Sequence, residues 1–536
     1  MKRVISLLLT LCLALAVSSF AVADETPIKL TICRTTDTLI EDLDTNATTL
    51  AIEEAFGVDL EFIEYPSADA AAKLAVVMSS GSEMPDIINF HLDFTTEYNY
   101  ASKGLLLPLN EYLDDPEMTK NLDSVASAEL KKEMFLRTAM PDGKNYGLPK
   151  YEDNTWNKMN FRAWINQEWL DNLGLDMPKT TDEFVDVLRA FKNDDPNGNG
   201  IADEIPLLGS NQSGDQKLWN FLLNAFIYST PNQNYFDVKD GEIYAAFMTD
   251  AFKDGLEWIH SLVEEGLIYE GSFTQDQTQM RAIINAEGDY CVGCVTCGSA
   301  GHWSGVSLNP NLHKMTQLEP LTGPNGVCYT ITGETTCSNM WYVTTSCQNP
   351  EVAFAIGEHF YDWEEAMSQR YGIKEVHWTT DPEKMDNYIF EYEASGYPRL
   401  YATLDDTSYT AVQNHNWRAS TPWINGHELD MSWAIETKEN VANGVSILFR
   451  PDHFERYVPH AKDEIIGSLN YIAEEAEIIS DLSVSINNYV NESIVAFITG
   501  NKSFDEWDSY KAEIESMGID QYIETMQAAY DRKIGK

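Results

Sequence analysis

Positive charge is what this chain has least of. It carries 36 Lys and Arg against 85 Asp and Glu, a formal net charge of −49 over 536 residues, and no basic cluster offsets it. Nucleic acid and anionic membrane surfaces are held by Lys and Arg, so both are excluded as partners. Long apolar runs are missing too. The stretch Val4–Val17 is too short for a stable span, and no later segment reaches the roughly 18 apolar residues a membrane helix needs. There is no Gly-x-Ser-x-Gly, no His-Glu-x-x-His and no phosphate loop, which removes the common signatures of hydrolases, zinc proteases and nucleotide enzymes. Internal repeats and low-complexity linkers are absent as well.

Cysteine is sparse and oddly placed. Of eight residues, Cys12 falls in an N-terminal export signal: Lys2 and Arg3 precede the apolar run, and Ala21-Val22-Ala23 provides a cleavage site before Asp24. Leu9-Thr10-Leu11 lacks the small residue that a lipidated Cys12 would need, so a secreted or surface-associated extracellular protein without a clear lipid anchor is expected. The seven remaining cysteines include Cys291, Cys294 and Cys297 in a C-x2-C-x2-C run. No fourth Cys and no His follow at zinc or iron–sulfur spacing, so the run reads as small buried residues or as one or two disulfides.

What is present is an ordinary globular composition, 43% hydrophobic and 11% aromatic, with 13 Trp and 26 Tyr. The length suits two or three domains of about 150 residues. Ile28–Cys33 alternates as a strand, Ala47–Phe56 reads as a helix closed by Gly57, and Val58–Tyr65 alternates again. An Ala-rich helix over Ala68–Ser79 and a short apolar strand, Pro85–Phe90, complete a doubly wound α/β pattern. Ligands of such lobes sit at the carboxyl ends of the strands, which points to Phe90–Phe94.

The stretch Asp194–Leu207 is built to wrap a hard cation. Counting Asp195 as position one, oxygen donors fall at one (Asp195), three (Asn197) and five (Asn199), with Gly200 at the sharp turn and the Ile201 carbonyl at seven. Asp203 follows at nine, but Pro206 stands where an EF-hand has its bidentate Glu, leaving Glu204 to close the shell. The loop hangs from an amphipathic helix: Thr180 and Glu183 form a capping box, and Phe184, Val187, Leu188 and Phe191 recur on one face.

Several segments, in order, resemble family 1 extracellular solute-binding proteins. They are Met78–Ile87 with its Pro85-Asp86-Ile87, Gly104–Leu113, Asp142–Pro149, Trp164–Pro178, Asp240–Tyr244, Leu262–Ile268 and the tail Trp507–Tyr530. The resemblance implies two α/β lobes of the hinged, type II periplasmic-binding-protein architecture, each discontinuous in sequence. Residues 24–150 would begin the first lobe and 151–330 the second, 331–400 would cross back, and 401–536 would be a mostly helical part of the second lobe and hinge. It implies an oligosaccharide closed between the lobes, permease subunits of an ABC importer as partners, a monomer and no catalysis. The alginate-binding subgroup has a structural calcium whose ligands carry over onto Asp195, Asn197, Asn199, Ile201 (carbonyl), Asp203 and Glu204.

Sugar rings are held by flat aromatic faces and paired hydrogen bonds. Trp156, Trp303, Trp378, Trp417 and Trp423 stand outside clear helix faces and are the expected ligand residues, with Arg418 and Glu152 as polar partners. Trp258 fits a helix face and belongs to the core. His302, His377 and His415 lie near these tryptophans without a nucleophile motif. A peptide or other solute is the alternative ligand, and a secreted carbohydrate-active enzyme is the alternative from another class.

Overall fold

The computed structural model describes residues 27–66, 69–81, 83–288, 290–299, 314–390, 393, 396–404, 412–434, 437–439 and 456–536. The export signal, Cys12, His302 and Trp303 lie outside them, as does the side chain of Trp156.

Two sheets organise these residues. The first has the order β14-β4-β11-β3-β1-β2 and the second β10-β5-β9-β6. In chain order the strands are β1 (Ile28–Thr35), β2 (Val58–Tyr65), β3 (Ile87–Asn89), β4 (Gly147–Glu152), β5 (Ala163–Asn166) and β6 (Ile205–Leu208). A hairpin of β7 (Phe236–Lys239) and β8 (Glu242–Ala245) follows, then β9 (Val292–Thr296), β10 (Met315–Leu318) and β11 (Thr336–Val343). The last four are β12 (Trp378–Thr379), β13 (Tyr401–Thr403), β14 (Trp423–Asn425) and β15 (Trp433–Ala434).

In the first sheet β1, β2 and β3 run parallel, and β11 lies antiparallel to both β3 and β4. Period-2 alternation sends neighbouring residues to opposite cores. Leu30, Ile32, Ile87, Trp341 and Val343 enter one cluster, while Cys33, Ile88 and Tyr342 enter the other. Helices cover both faces, as a parallel sheet requires. Helix Ala47–Phe56 starts on the Asn46 side chain, which accepts from Thr48 N–H, and stops at Gly57 in the left-handed region (φ 64°).

The second sheet packs on a larger core. Helix Thr181–Asn193 has the expected capping box: Thr180 Oγ1 accepts from Glu183 N–H, and the Glu183 carboxylate accepts from Thr180 N–H. Its Phe184, Val187, Leu188 and Phe191 are buried with Ile486, Val490, Ile494 and Phe497 of the 26-residue helix Ala473–Ile498 and with Tyr522 and Met526 near the C-terminus. The C-terminal helices therefore belong to the second lobe.

The return crossing falls later than expected. β14 pairs in parallel with β4, Trp423 opposite Lys150 and Asn425 opposite Glu152, so residues 412–425 still build the first lobe and not the second. The seven described cysteines are free thiols. Cys294 and Cys297 sit in and just after β9, buried, and burial pushes both thiols up. The C-x2-C-x2-C run is thus strand packing rather than a disulfide.

Close packing is tightest where helix Pro350–His359 crosses β11. A Cβ added at Gly357 would lie 2.4 Å from the Trp341 ring, whose Nε1–H donates to Ala353 O at 2.9 Å. Gly357→Ala is expected to cost about 1–3 kcal/mol by forcing that ring aside, read as a lower denaturation midpoint at unchanged m-value.

Candidate functional site

Between the lobes lies a cleft of about 980 Å³. One wall comes from the first lobe, with His91–Phe94 after β3, Glu97 on helix Phe94–Ser102, Glu152 at the end of β4, and Thr336 to Asn339 on β11. The other comes from the second lobe, with Tyr228, Thr230, Asn232, Phe236 and Asp237, and with Arg532 and Lys533 from the last helix. The crossing residues Asn154, Asn157, Lys158 and Asn160 form its floor. Parallel strands β1 and β3 end toward this region, which is where an α/β lobe presents its ligand contacts.

The wall is rich in amides and carboxylates, and among the described residues its four Lys and Arg side chains are already matched. Arg137 lies 2.7 Å from Glu133, Lys533 2.7 Å from Glu334, Arg532 2.6 Å from Glu475, and Lys158 bonds Asp153. Burial pushes the Asp153 carboxyl up, but hydrogen bonds from Lys158 and Thr335 outweigh it and hold the group below its ordinary value. Glu152, the one expected ligand residue in this wall among the described residues, is half-buried with Lys150 at 3.4 Å.

The carboxyl of Glu97 behaves differently. It is 4% exposed, accepts from Asn339 Nδ2 at 2.8 Å and Tyr342 Oη at 3.1 Å, and is pushed from 4.5 to about 7. Desolvation is the largest cause, outweighing the two hydrogen bonds, and Asp93 adds to the rise.

The expected tryptophan platforms need correcting. Trp378, Trp417 and Trp423 are 0–1% exposed. Trp378 Nε1–H donates to Gly372 O at 2.8 Å, and Trp417 Nε1–H to Thr49 Oγ1 at 3.0 Å. Trp417 packs with Phe62, Phe360 and the Arg34 guanidinium, and Trp423 lies under Arg370. A ring with no open face offers nothing to a sugar, so in this conformation the three are core. Arg418 is ion-paired to Asp37 at 3.3 Å, and it and Ala419 both take φ of 58°. Two successive non-glycine residues in the left-handed region are costly, and such strain gathers at functional turns.

The Asp195 loop has the internal frame of a cation loop. Gly200 N–H donates to Asp195 Oδ2 (3.0 Å), Asn199 N–H to Asn197 Oδ1 (3.0 Å) and Ile201 N–H to Asn199 Oδ1 (2.7 Å). Gly198 and Gly200 supply left-handed turns at φ 73°. Among the described residues no three His, Cys, Asp or Glu side chains converge as a ready metal group. The loop relies instead on Asn and carbonyl oxygens. Glu204 Oε1 is buried without a partner, and burial, then Asp203 and Asp195, raise its carboxyl. An orphaned carboxylate oxygen beside two more carboxylates fits a hard divalent cation.

Residues 40–305 match the family of bacterial extracellular solute-binding proteins. Over that stretch, close to half of its length, the chain is similar to that family. FusA of Streptococcus pneumoniae, a fructooligosaccharide ABC transporter substrate-binding protein, is 27% identical over 495 residues, covering 90% of this chain and 86% of FusA. The structure of FusA with kestose superposes with a TM-score of 0.73 at 24% identity, covering 95% of this chain and 99% of that one. A human-milk-oligosaccharide-binding solute-binding protein from Bifidobacterium longum infantis gives 0.75 at 19% identity over 94% and 99%. An EF-hand mutant of FusA with fructo-nystose gives 0.72 at 23% over 95% and 99%, and the alginate-binding protein AlgQ2 without calcium ion gives 0.63 at 18% over 95% and 98%. The family match and these superpositions establish the two-lobe solute-binding fold.

Proposed function

We propose that this protein is the extracellular substrate-binding component of an ABC importer and takes a neutral oligosaccharide of the fructooligosaccharide type between its lobes. The single observation that carries the ligand class is the cleft wall, whose described residues offer Asn154, Asn157, Asn160, Asn232 and Asn339 and match each of four Lys and Arg side chains to a protein carboxylate. Side-chain amides both donate to and accept from sugar hydroxyls. An anionic uronic-acid oligomer would have to compete with these part-exposed carboxylates for each cation, whereas a neutral sugar would not. The similarity to FusA along 90% of the chain supports the same reading. Binding energy goes into hinge closure, and the closed form is what a permease recognises. No covalent step is involved, and the protein acts as a monomer at the cell surface after removal of the leader.

Calcium completes the Asp195 loop in this reading. Asp195, Asn197, Asn199, the Ile201 carbonyl, Asp203 and Glu204 would hold it, and its charge relieves the mutual repulsion of the three carboxylates. The role is structural, because the loop joins helix Thr181–Asn193 to β6 in the second-lobe core.

Isothermal titration with kestose, with a galacturonate oligomer and with a short peptide tests the ligand class. Kestose-type sugar is expected to bind and the acidic oligomer and the peptide to bind at least tenfold more weakly. Preference for the galacturonate or the peptide, or release of monosaccharide from kestose, overturns the proposal. Chelation tests the metal separately. With calcium at a hundred times its dissociation constant the loop contributes about 2.7 kcal/mol, so EDTA is expected to lower the Tm, and added calcium to restore it. An unchanged Tm removes calcium from the account.

A further inference from the structure

Strand β11 carries an irregularity at the cleft. Its pairing with β4 slips between Asn339 and Trp341, a bulge of the kind that re-aims a side chain. Asn339 is the residue re-aimed. The neighbouring strand makes room for it with Gly147, where a Cβ would fall 2.7 Å from the Asn339 Cβ and 2.8 Å from its Cγ. An Asn in the middle of a buried strand disfavours the fold unless its polar atoms are used.

One of those atoms is used and one is not. Asn339 Nδ2 donates to Glu97 Oε1 at 2.8 Å, while Asn339 Oδ1 is buried and has no hydrogen-bond partner. A carboxylate only accepts, so the amide nitrogen must face Glu97 and the amide oxygen must face away. Glu97 is itself steered by Tyr342 Oη, and Tyr342 Oη receives Leu92 N–H at 3.3 Å. Three hydrogen bonds thus fix the direction of an acceptor to which none of the described residues donates. Such an unmet acceptor costs about 1–3 kcal/mol. Asn339 and Glu97 both stand in the cleft wall, so the cleft is where a donor can enter. The exposed His91 stands beside it, its Nδ1 3.4 Å from the Asn339 backbone oxygen.

We propose that Asn339 reads the ligand, its Oδ1 accepting a hydroxyl hydrogen from the neutral sugar, and that Glu97 is the positioning residue that holds the amide in that orientation. This rests on the oligosaccharide reading of the cleft. It carries a pH signature. Above about pH 7 Glu97 is a carboxylate and the amide is locked. Below it the neutral carboxyl can donate as well as accept, the amide oxygen can turn toward it, and the ligand loses its acceptor. The other titratable groups around Glu97 are Asp93 and His91 on the approach to its helix and Tyr342 on β11.

The test is calorimetric titration of kestose into wild type, Asn339→Ala and Glu97→Gln at pH 5.5 and 8.5, with the Tm of each recorded. Asn339→Ala is expected to weaken binding roughly tenfold at pH 8.5, the worth of one hydrogen bond. Wild-type affinity should fall between pH 8.5 and 5.5, and Glu97→Gln should flatten that fall, because its amide does not titrate while His91 and Asp93 remain. Binding by Asn339→Ala within twofold of wild type overturns the proposal. So does an undiminished pH dependence in Glu97→Gln, and that arm decides the matter if Asn339→Ala does not fold. Failure of wild type to bind any neutral oligosaccharide removes the oligosaccharide reading and this proposal together. A wild type that binds beside an unaffected Asn339→Ala removes this proposal alone.

Discussion

The two lobes depend on the antiparallel ladder between β4 and β11. Both strands leave the first sheet at the same edge, where Glu152 pairs with Thr336, and both continue directly into the second lobe. Just beyond that pair Asp153 accepts from Thr335 Oγ1 at 2.7 Å and from Lys158, while Gly333 N–H donates to Lys158 O at 2.6 Å. Asp153 N–H donates in turn to Asn425 O at 2.9 Å, binding β14 to the same point. The crossings are therefore tied into one polar knot at the floor of the cleft. A hinge needs few residues that absorb backbone rotation and rigid bodies on either side. The knot confines the change of direction to short segments, and the cores above and below it supply the rigidity.

The same economy governs the electrostatics of the wall. A chain with net charge −49 could have kept its few cations free for an acidic ligand. Among the described residues it instead places four of them at the cleft and gives each a carboxylate partner. The arrangement leaves hydrogen-bonding groups, not net charge, facing the space. On the proposed reading such a wall selects by hydroxyl geometry, and Asn339 is the wall amide whose nitrogen is held by Glu97 beside the bulge in β11.

Much of the fold was legible because its elements carry strong local signals. The alternation of β1 and β2, the Gly57 stop and the Thr180 capping box each have one physical meaning, and the structure holds all three. The tryptophans were harder. Trp378, Trp417 and Trp423 stand in short, non-periodic segments that look like loops, yet Trp423 is held on β14 in the first sheet, Trp417 packs into that sheet's core, and Trp378 pairs through β12 with β13. That long-range pairing leaves no local mark. The cleft itself was nearly illegible, because Glu97, Asn154, Asn232 and Asn339 come from four distant segments, and only the odd presence of Asn339 among apolar strand residues hinted at a role. The cysteine run was ambiguous for a related reason, since strand packing and metal spacing look alike until β9 is placed inside a sheet.

Closure of the lobes on a neutral oligosaccharide is open to small-angle X-ray scattering before and after saturation with kestose. The saturated protein is expected to show a smaller radius of gyration at unchanged mass. A radius that stays the same at proven saturation means that the lobes do not close on the sugar.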